Sequence, residues 1–485
     1  MTLFQQERVK QQRSKLKVNF HPSGWLLFAI TWAVFAILAI CFSSPPGMTM
    51  TNGDEPHYLL MAHSLLHDRD LDLRNNYDNK DFLAFYENEV LDEHILPFKG
   101  REVLAHEVVG LPILILLPYA VAGRIGVLVF LALLMAGGLA ALYRAVQIFV
   151  PVNWAFGTVL FCGLTYPLVI YSHQIYPDPV AFGLVSFVLM QVFHPWPWDR
   201  NARLTALAVG VALGLLPHFH FRFALLATTL YIFFLFREST GRWHRLRWSV
   251  GPPILLALTF VGWIRYIYGE FSLDVFTFRS NGFASRSNFG GILGLWFDQE
   301  HGLFFFAPIY LLSLVGAWYL WQNKQTRRDA GYLSFIYGAS HLVSGSYYDW
   351  VGGFSPIPRY LIPILPIGIL FLAVGLQELT ARRQWIQVGG LALGSLWITY
   401  LILFVHRPFM FGFHVGTNTI LREYYQAEGW MWLLPSFYSQ PLIAAGLRLA
   451  LVLMLLFGFW LTAWFISWLL HFPFKHPHRQ PGQTV

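Results

Sequence analysis

Residues 25–42 read WLLFAITWAVFAILAICF, and residues 52–58, a short distance beyond them, read NGDEPHY. The first run is apolar throughout and close to the roughly 20 residues that a helix needs to cross a bilayer core. The second run places two adjacent carboxylates, Asp54 and Glu55, just outside that predicted span. This arrangement predicts a membrane protein with ionisable groups at the water boundary, where an enzyme can keep a catalytic base.

Acidic residues are concentrated in the segment that follows the first span. Residues 44–107 contain half of the 26 acidic residues of the chain: Asp54, Glu55, Asp68, Asp70, Asp72, Asp78, Asp81, Glu87, Glu89, Asp92, Glu93, Glu102 and Glu107. A loop that only connects two spans needs no such concentration, so a functional surface facing water is predicted. We take residues 44–124 as the first outer loop, with interfacial helices, of a single domain covering residues 1–485.

The overall composition is that of a polytopic membrane protein, with 56% hydrophobic, 18% aromatic and only 12% charged residues. The net charge of +7 comes from Lys and Arg residues in short clusters between apolar runs. Such clusters favour positive-inside membrane topology over nucleic-acid binding. Cys41 and Cys162 both lie in apolar runs, so the sequence indicates neither a disulfide framework nor a thiolate metal site.

The apolar runs predict an all-α fold with about twelve transmembrane helices. We place them at residues 24–43, 125–147, 153–172, 180–194, 204–218, 222–236, 249–268, 303–321, 331–347, 360–377, 386–405 and 441–470. The basic residues before the first run predict an uncleaved signal anchor with a cytoplasmic N-terminus. An even number of spans then places the C-terminus in the cytoplasm of a plasma-membrane protein, with the acidic loop periplasmic or extracellular.

Two shorter segments of the first loop are predicted to lie at the membrane surface. Residues 108–122 are apolar but short and interrupted by Pro112 and Pro118, which favours an interfacial or re-entrant helix. The segment beginning at Asp54 alternates apolar residues with His57, His63 and His67, as expected of an amphipathic helix.

The Asp54-Glu55-Pro56 run has two interpretations. Acidic residues and proline are common at helix starts, so capping alone explains the pair. Alternatively, Asp54 or Glu55 is a general base that takes a proton from an acceptor hydroxyl. Partial removal from water at the membrane boundary would raise the carboxyl pKa toward a useful value.

Other polar and aromatic residues fall at predicted outer ends of spans, where they either cap or anchor a helix or line a substrate cavity. An arginine there can bind a phosphate through paired hydrogen bonds. The candidate substrate-binding residues are His57, Tyr176, Asp178, Arg222, Trp350, Arg359 and Tyr360.

The evidence for metal binding is weaker. Asp68, Asp70 and Asp72 alternate in a water-facing turn, and a divalent cation is compatible with them but not required by the sequence. His63 and His67 have helical spacing suited to zinc, without an evident third ligand. The acids in Asp298-Gln299-Glu300-His301 are interpreted as a polar cap on a span, with a cavity-facing role as the alternative.

A series of features occurs in order along the chain: Asp54-Glu55, His106-Glu107-Val108-Val109-Gly110-Leu111-Pro112, Tyr176-Pro177-Asp178, residues 302–308 and Pro358-Arg359-Tyr360. In these features the chain resembles the GT-C superfamily of integral-membrane glycosyltransferases, which includes protein O-mannosyltransferases and aminoarabinose transferases. Where the most familiar relatives have Lys-Pro-Pro or His-Pro-Pro near the second span, this chain has Val109-Gly110-Leu111-Pro112, which leaves the donor sugar and the acceptor open.

The resemblance implies inverting transfer of a sugar from a polyprenyl-phosphate-linked donor to a lipid, glycan or protein acceptor. By position, Asp54 resembles the catalytic acid of the family, with Glu55 beside it. We expect the donor phosphate near Arg359, assisted by Arg222, and the sugar packed against Trp350 and Tyr176. The alternatives are a flippase or other transporter of lipid-linked oligosaccharides, and a polysaccharide polymerase. A transporter is expected to carry charges within its spans and repeat symmetry, and neither is evident in the sequence.

Overall fold

The structure is a computed structural model. It describes residues 22–42, 53–86, 88–93, 95–98, 101–104, 109–193, 202–237, 241–268, 290–347, 349–411 and 415–470. The basic N-terminal cluster, the start of the acidic loop at residues 44–52, the His106-Glu107 pair and most of the predicted outer loop at residues 269–302 lie outside these residues.

Helices make up nearly all of the described secondary structure. They are α1 (Pro22–Phe42), α2 (Glu55–His67), α3 (Arg74–Asp78), α4 (Gly110–Val146), α5 (Val152–Leu164), α6 (Leu168–Tyr171), α7 (Pro177–Phe193), α8 (Ala202–Phe219), α9 (Phe223–Phe236), α10 (Arg242–Ser249), α11 (Gly251–Tyr268), α12 (Gly290–Phe297), α13 (Leu303–Phe306), α14 (Leu311–Gln322), α15 (Arg327–Gly345), α16 (Leu365–Ala381), α17 (Trp385–Tyr400), α18 (Glu428–Met431) and α19 (Leu442–Leu470). Single turns of 3₁₀-helix lie at Asp81–Ala84, Pro308–Tyr310 and Arg407–Met410, a longer one at Arg359–Ile364, and π-helix at Leu401–Val405 and Ile420–Tyr424.

The predicted all-α, multi-pass architecture is confirmed. Each of the predicted spans coincides with helical structure, although several are broken into two or three pieces. Within the described residues, 7 helices are long and apolar enough to cross a membrane by length and composition alone. The shorter apolar helices are α5, α7 and α9. The total of about twelve spans therefore stays a prediction.

Helix α4 is bent between two segments that were predicted separately, the interfacial segment 108–122 and the span 125–147. Its backbone leaves the helical conformation at Ala122 and Gly123, and Gly123 has a φ of +56°, which favours glycine. The arm before the bend is about 20 Å long at 1.5 Å per residue, too short to cross a bilayer. Its exposed side chains include Ile113, Leu117 and Val121, which share one face at four-residue spacing. This apolar face suits a helix lying at the membrane surface.

The bundle core is held partly by close backbone contact. A Cβ on Gly316 of α14 would lie 1.7 Å from the carbonyl oxygen of Phe371, and one on Gly375 of α16 would lie 2.2 Å from that of Leu312. Glycine is therefore required where these two helices cross, as is common in membrane bundles.

Polar contacts are found at both ends of the bundle. At one end, the Arg237 guanidinium contacts the Asp329 carboxylate through two N–O distances of 3.2 Å, and Arg328 donates to the carbonyl of Phe236. These residues belong to clusters that the sequence places on the same side of the membrane. The opposite end carries the acidic loop and the turns that are predicted to face outward, and it contains the candidate site.

The first loop packs onto this end. In α2 the residues from Glu55 to Ala62 are all buried, so its first two turns are enclosed by protein on every side. This differs from the expected surface helix with one face in water, because the outer turns and the bent helix α4 cover it. The loop also contains a two-stranded antiparallel hairpin, β1 (Ile95–Phe98) and β2 (Arg101–Leu104), beside the helical membrane part.

Candidate functional site

Asp54 lies at the mouth of the site and pairs with an arginine distant in sequence. Its Oδ2 lies 2.9 Å from Nη1 of Arg359, and its side chain is 16% exposed. Asp54 occupies the position before α2 but makes no side-chain capping hydrogen bond there. The carboxylate is therefore used for the ion pair rather than for the helix start.

Asp178 connects this ion pair to a second arginine. Its Oδ2 lies 3.3 Å from Nε of Arg359, its Oδ1 accepts a hydrogen bond from Nη2 of Arg222, and its side chain is fully buried. Together, Asp54, Asp178, Arg222 and Arg359 form one connected set of ion pairs, which we call the catalytic network after the role that we propose for it below. With two carboxylates and two guanidinium groups its charge is balanced, which is what burial of ionised groups requires.

The aromatic rings of Tyr176 and Tyr360 line the catalytic network. The Arg359 guanidinium lies 4.4 Å from the ring centre of Tyr176, and that of Arg222 lies 4.2 Å from the ring centre of Tyr360. These cation–π contacts hold both guanidinium groups in place without neutralising their positive charge. Tyr176 and Tyr360 thus join the predicted charged residues in one site.

Gly53 brings the loop close enough for Asp54 to reach Arg359. Its φ of +57° is in the left-handed region, and an added Cβ would lie 2.6 Å from the Tyr176 hydroxyl oxygen and 2.8 Å from the Phe354 carbonyl oxygen. Both the conformation and the contact exclude a larger residue without displacement.

Two buried tyrosines fix the segment that leads to Arg359. The Tyr166 hydroxyl donates to the carbonyl of Ile357, and the Tyr171 hydroxyl donates to that of Pro356. Both tyrosines come from the broken helix pair α5 and α6. The break in that predicted span therefore aims two hydroxyl groups at the segment that positions Arg359.

Glu55 contacts a different set of residues from its neighbour Asp54. Its Oε1 accepts a hydrogen bond of 2.5 Å from the Ile175 amide, and its Oε2 lies 3.9 Å from Nη2 of Arg124. Nearby, Nη2 of Arg407 lies 2.9 Å from Nε2 of His173. Burial, and next the charge of Arg407, lower the pKa of His173 to about 3, so this imidazole is neutral at ordinary pH.

Two further ionisable groups lie within electrostatic range of the catalytic network. Burial, and next the negative charge of Asp54, raise the pKa of the Tyr58 hydroxyl well above its ordinary value, so it stays a neutral phenol. Burial also raises the pKa of Asp349, while a hydrogen bond from the Gly353 amide and the charge of Arg359 partly offset that effect.

Two predicted residues make their described contacts elsewhere. Nδ1 of His57 lies 2.8 Å from the Tyr77 hydroxyl, which joins α2 to α3. The Trp350 indole is buried against α12, where added Cβ atoms on Gly291 and Gly294 would each lie 2.4 Å from it. These contacts favour structural roles, and substrate binding by either residue stays a prediction.

The candidate metal ligands form no metal site in the described part of the chain, where no group of three or more His, Cys, Asp or Glu side chains is suitably placed. Asp68 accepts from Asn76, and Asp70 accepts from Ser64, so these acids order the turn. Asp298 accepts hydrogen bonds from the amides of Phe437 and Tyr438, and it ties the last outer loop to the bundle.

Several residues near the site were missed in the sequence. Arg124 was treated only as a loop boundary, and Arg407 belongs to a loop in which no motif marks it. His173 and Asp349 lie in turns at the ends of predicted spans; the sequence predicts either a stiff connector or a cavity lining for the turn of His173, and no role for Asp349. Their position at span ends was the available signal, since outer ends of a bundle converge.

The fold is an all-helical membrane bundle onto whose end turns the acidic first loop packs. Two crystal structures of ArnT, an aminoarabinose transferase, from Cupriavidus metallidurans are similar to this chain. The apo structure is 17% identical, with a TM-score of 0.50, covering 85% of this chain and 70% of that one. The structure bound to undecaprenyl phosphate is 16% identical, with a TM-score of 0.52, covering 85% and 71%.

At this level of identity the similarity shows the fold alone, and the predicted GT-C-like fold is confirmed. No family model matches the chain, and neither does any curated protein.

Proposed function

We propose that the chain is a glycosyltransferase that moves a single sugar from a polyprenyl-phosphate-linked donor to a lipid, glycan or protein acceptor at the outer face of the plasma membrane. The observation that carries this proposal is the catalytic network, in which a partly exposed Asp54 is held by Arg359 at the outer end of a GT-C-like bundle. The similar ArnT structure with bound undecaprenyl phosphate supports the choice of donor.

In this mechanism Asp54 is the general base. Its carboxylate takes the proton of an acceptor hydroxyl while that oxygen attacks the anomeric carbon. A new glycosidic bond forms, the bond between the anomeric carbon and the phosphate oxygen breaks, and polyprenyl phosphate leaves with the electron pair. Because attack comes from the face opposite the leaving group, the anomeric configuration inverts. A phosphate is a stable leaving anion, so the step needs little general-acid assistance.

The network assigns different tasks to its two carboxylates. Asp178 is fully buried and shared by both arginines, whereas Asp54 is the one that reaches the mouth of the site. We assign Asp178 and Arg359 as positioning residues: Arg359 pairs with the Asp54 carboxylate and orients it, and Asp178 holds Arg359 in place. Because two carboxylates already engage Arg359, this role fits the geometry better than the predicted contact with the donor phosphate.

The test is transfer of radiolabelled sugar from a panel of synthetic polyprenyl-phosphate sugars to a crude membrane acceptor fraction. Asp54→Asn should lower transfer by about 10² to 10⁴ while the protein stays folded, with a smaller loss of stability than Asp178→Asn because Asp54 is partly exposed. Asp78→Asn, an exposed acid of the same loop, is the matched control and should transfer normally. Wild-type turnover by Asp54→Asn would refute the base. No transfer with any donor, together with movement of labelled lipid across proteoliposome membranes, would favour a transporter.

Replacing Arg359 separates positioning from phosphate binding. Arg359→Ala and Arg359→Lys should both lower turnover strongly, because lysine cannot contact Asp54 and Asp178 together as a planar guanidinium does. Donor affinity should change little in either variant. A large loss of donor affinity in Arg359→Ala that lysine restores would instead support the phosphate contact predicted from the sequence.

A further inference from the structure

Two arginines beside the catalytic network carry more positive charge than the described residues around them neutralise. Arg124 and Arg407 approach the same acid, since Glu55 lies 3.9 Å from Arg124 and its charge acts on Arg407. Within the described residues, the other polar contact of Arg407 is with His173, which is neutral. Among the residues that the structure describes, one carboxylate against two guanidinium groups leaves a net charge of about +1 in a partly buried place.

The same two arginines also have hydrogen-bond donors without a described partner. The Nε atoms of Arg124 and Arg407 are buried and have no hydrogen-bond partner in the described part of the chain. Arg222 also has such nitrogens, but it is paired with the fully buried Asp178 and stacked on Tyr360. Arginine nitrogens that are buried, charged and unused are suited to an anion with several oxygen acceptors.

The electrostatics agree with the geometry. Burial lowers the pKa of Arg407 to about 10, the charge of Glu55 opposes that change, and the like charge of Arg124 adds to it. Repulsion between the two guanidinium groups therefore persists despite the shared carboxylate. An anion placed between them would remove it.

The surroundings identify a lipid as the source of the anion. Arg124 follows the bend that ends the apolar arm of α4, Arg407 follows the helical segment that ends at Val405, and its guanidinium lies 4.0 Å from the ring centre of Phe42, the last residue of α1. All three positions are at one end of the membrane bundle. The exposed face of the α4 arm, with Leu117 and Val121, leads along the chain to Arg124 and offers apolar surface for a hydrocarbon tail.

We infer that Arg124 and Arg407 form an anion subsite for the phosphate of a polyprenyl-phosphate-linked substrate, an inference that rests on the proposed function. The subsite is joined to the base by one peptide bond, because Glu55 faces the arginines and Asp54 faces the catalytic network. The phosphate would thus be held beside the place where its bond to the sugar breaks. Glu55 limits the positive charge of the empty subsite.

Binding of radiolabelled farnesyl phosphate to the purified full chain in detergent tests this inference directly. Arg124→Gln and Arg407→Gln should each weaken binding roughly 10- to 100-fold, as expected for loss of a charge-assisted hydrogen bond. The lysine variants keep the charge and should bind with intermediate affinity, which separates charge loss from misfolding. Arg69→Gln, an exposed arginine of the first loop, is the matched control and should bind as wild type does. Glu55→Gln should tighten binding several-fold.

Two competitors distinguish the sources of the anion. Farnesol, which lacks the phosphate, should compete at least about 10-fold less well than farnesyl phosphate if the arginines bind the phosphate group. Inorganic phosphate should also compete poorly, because it lacks the tail. Equal affinities in wild type, Arg124→Gln and Arg407→Gln would overturn the subsite, and competition by inorganic phosphate as strong as by farnesyl phosphate would overturn the lipid source.

The same variants separate failure of the subsite from failure of the proposed function. Asp54→Asn should bind farnesyl phosphate normally and fail only in transfer. Normal transfer by Asp54→Asn with lost binding in Arg407→Gln would refute the base and leave the subsite supported. Wild-type protein that binds no farnesyl phosphate would overturn both.

Discussion

The exchange Asp178→Asn tests whether the catalytic network is held by its buried carboxylate. Asp178 is 0% exposed and contacts Arg222, which is 12% exposed, and Arg359, which is 8% exposed. Removing its charge leaves two guanidinium groups beside Asp54. Loss of one partner from a buried ion pair typically costs about 3–5 kcal/mol. Asparagine keeps one acceptor oxygen and nearly the same shape, so we expect the lower end, about 3 kcal/mol.

The free energy of unfolding can be measured by denaturant titration of the purified protein in mixed micelles, with tryptophan fluorescence as the signal. A double-mutant cycle supplies the control. Arg222→Gln combined with Asp178→Asn leaves Asp54 opposite Arg359 and restores the charge balance. The double variant should therefore be more stable than the sum of the single effects predicts, by about 2 kcal/mol.

The reasoning is refuted if Asp178→Asn unfolds within about 0.5 kcal/mol of wild type, the range of an ordinary surface exchange. Strict additivity in the cycle would also refute it. In that case the close contacts of Asp178 would not be what stabilises the two arginines.

Three further perturbations examine neighbouring features. Gly53→Ala should lower stability by about 1–2 kcal/mol because alanine is strained in the left-handed conformation, and it should lower transfer by about 10² because Asp54 is displaced. The control Gly137→Ala, whose Cβ meets no atom within 4 Å, should change neither quantity. Normal transfer by Gly53→Ala would contradict this prediction. His173 has a folded-state pKa of about 3 against 6.5 unfolded, so the unfolded chain gains its proton first and stability should fall between about pH 6.5 and 3 by up to about 1.4 kcal/mol per unit. His173→Asn should flatten that slope, and an unchanged slope would assign it to other groups. Asp298→Asn should speed hydrogen exchange of the Phe437 and Tyr438 amides, while equal protection in both proteins would show that the carboxylate does not tie the loop.

The helical membrane architecture was predictable because the lengths of the apolar runs alone indicate it. The helical spans and the broken segment before Gly123 follow from local composition, and the same composition predicts a role for the Asp54-Glu55 pair. The convergence of Asp178, Arg222 and Arg359 does not, because it depends on how three separate outer turns pack together. The resemblance to GT-C glycosyltransferases predicts that these residues all bind the substrate. No pattern in the sequence indicates that Asp178 bridges the two arginines.

Other outcomes depended on packing that no local pattern records. Trp350 stands in an aromatic turn and resembles a sugar-stacking residue, yet it lies against Gly291 and Gly294 of α12. Helix α2 shows an amphipathic pattern, but the outer turns bury its polar side as well as its apolar side. The role that we propose for Arg124 and Arg407 depends on the charges that the fold brings to Glu55, which no local pattern records.

Asp54 and Glu55 are consecutive, and their side chains enter two different clusters at the start of one rigid helix. A movement of α2 that changes the contacts of Glu55 therefore also changes those of Asp54. If an anion at the arginine pair shifts the position of Glu55, thermodynamic reciprocity requires that reorientation of Asp54 alter the affinity for that anion equally. The peptide unit between Asp54 and Glu55 would thus couple binding of the donor to the orientation of the Asp54 carboxylate. This coupling requires no larger rearrangement of the membrane helices.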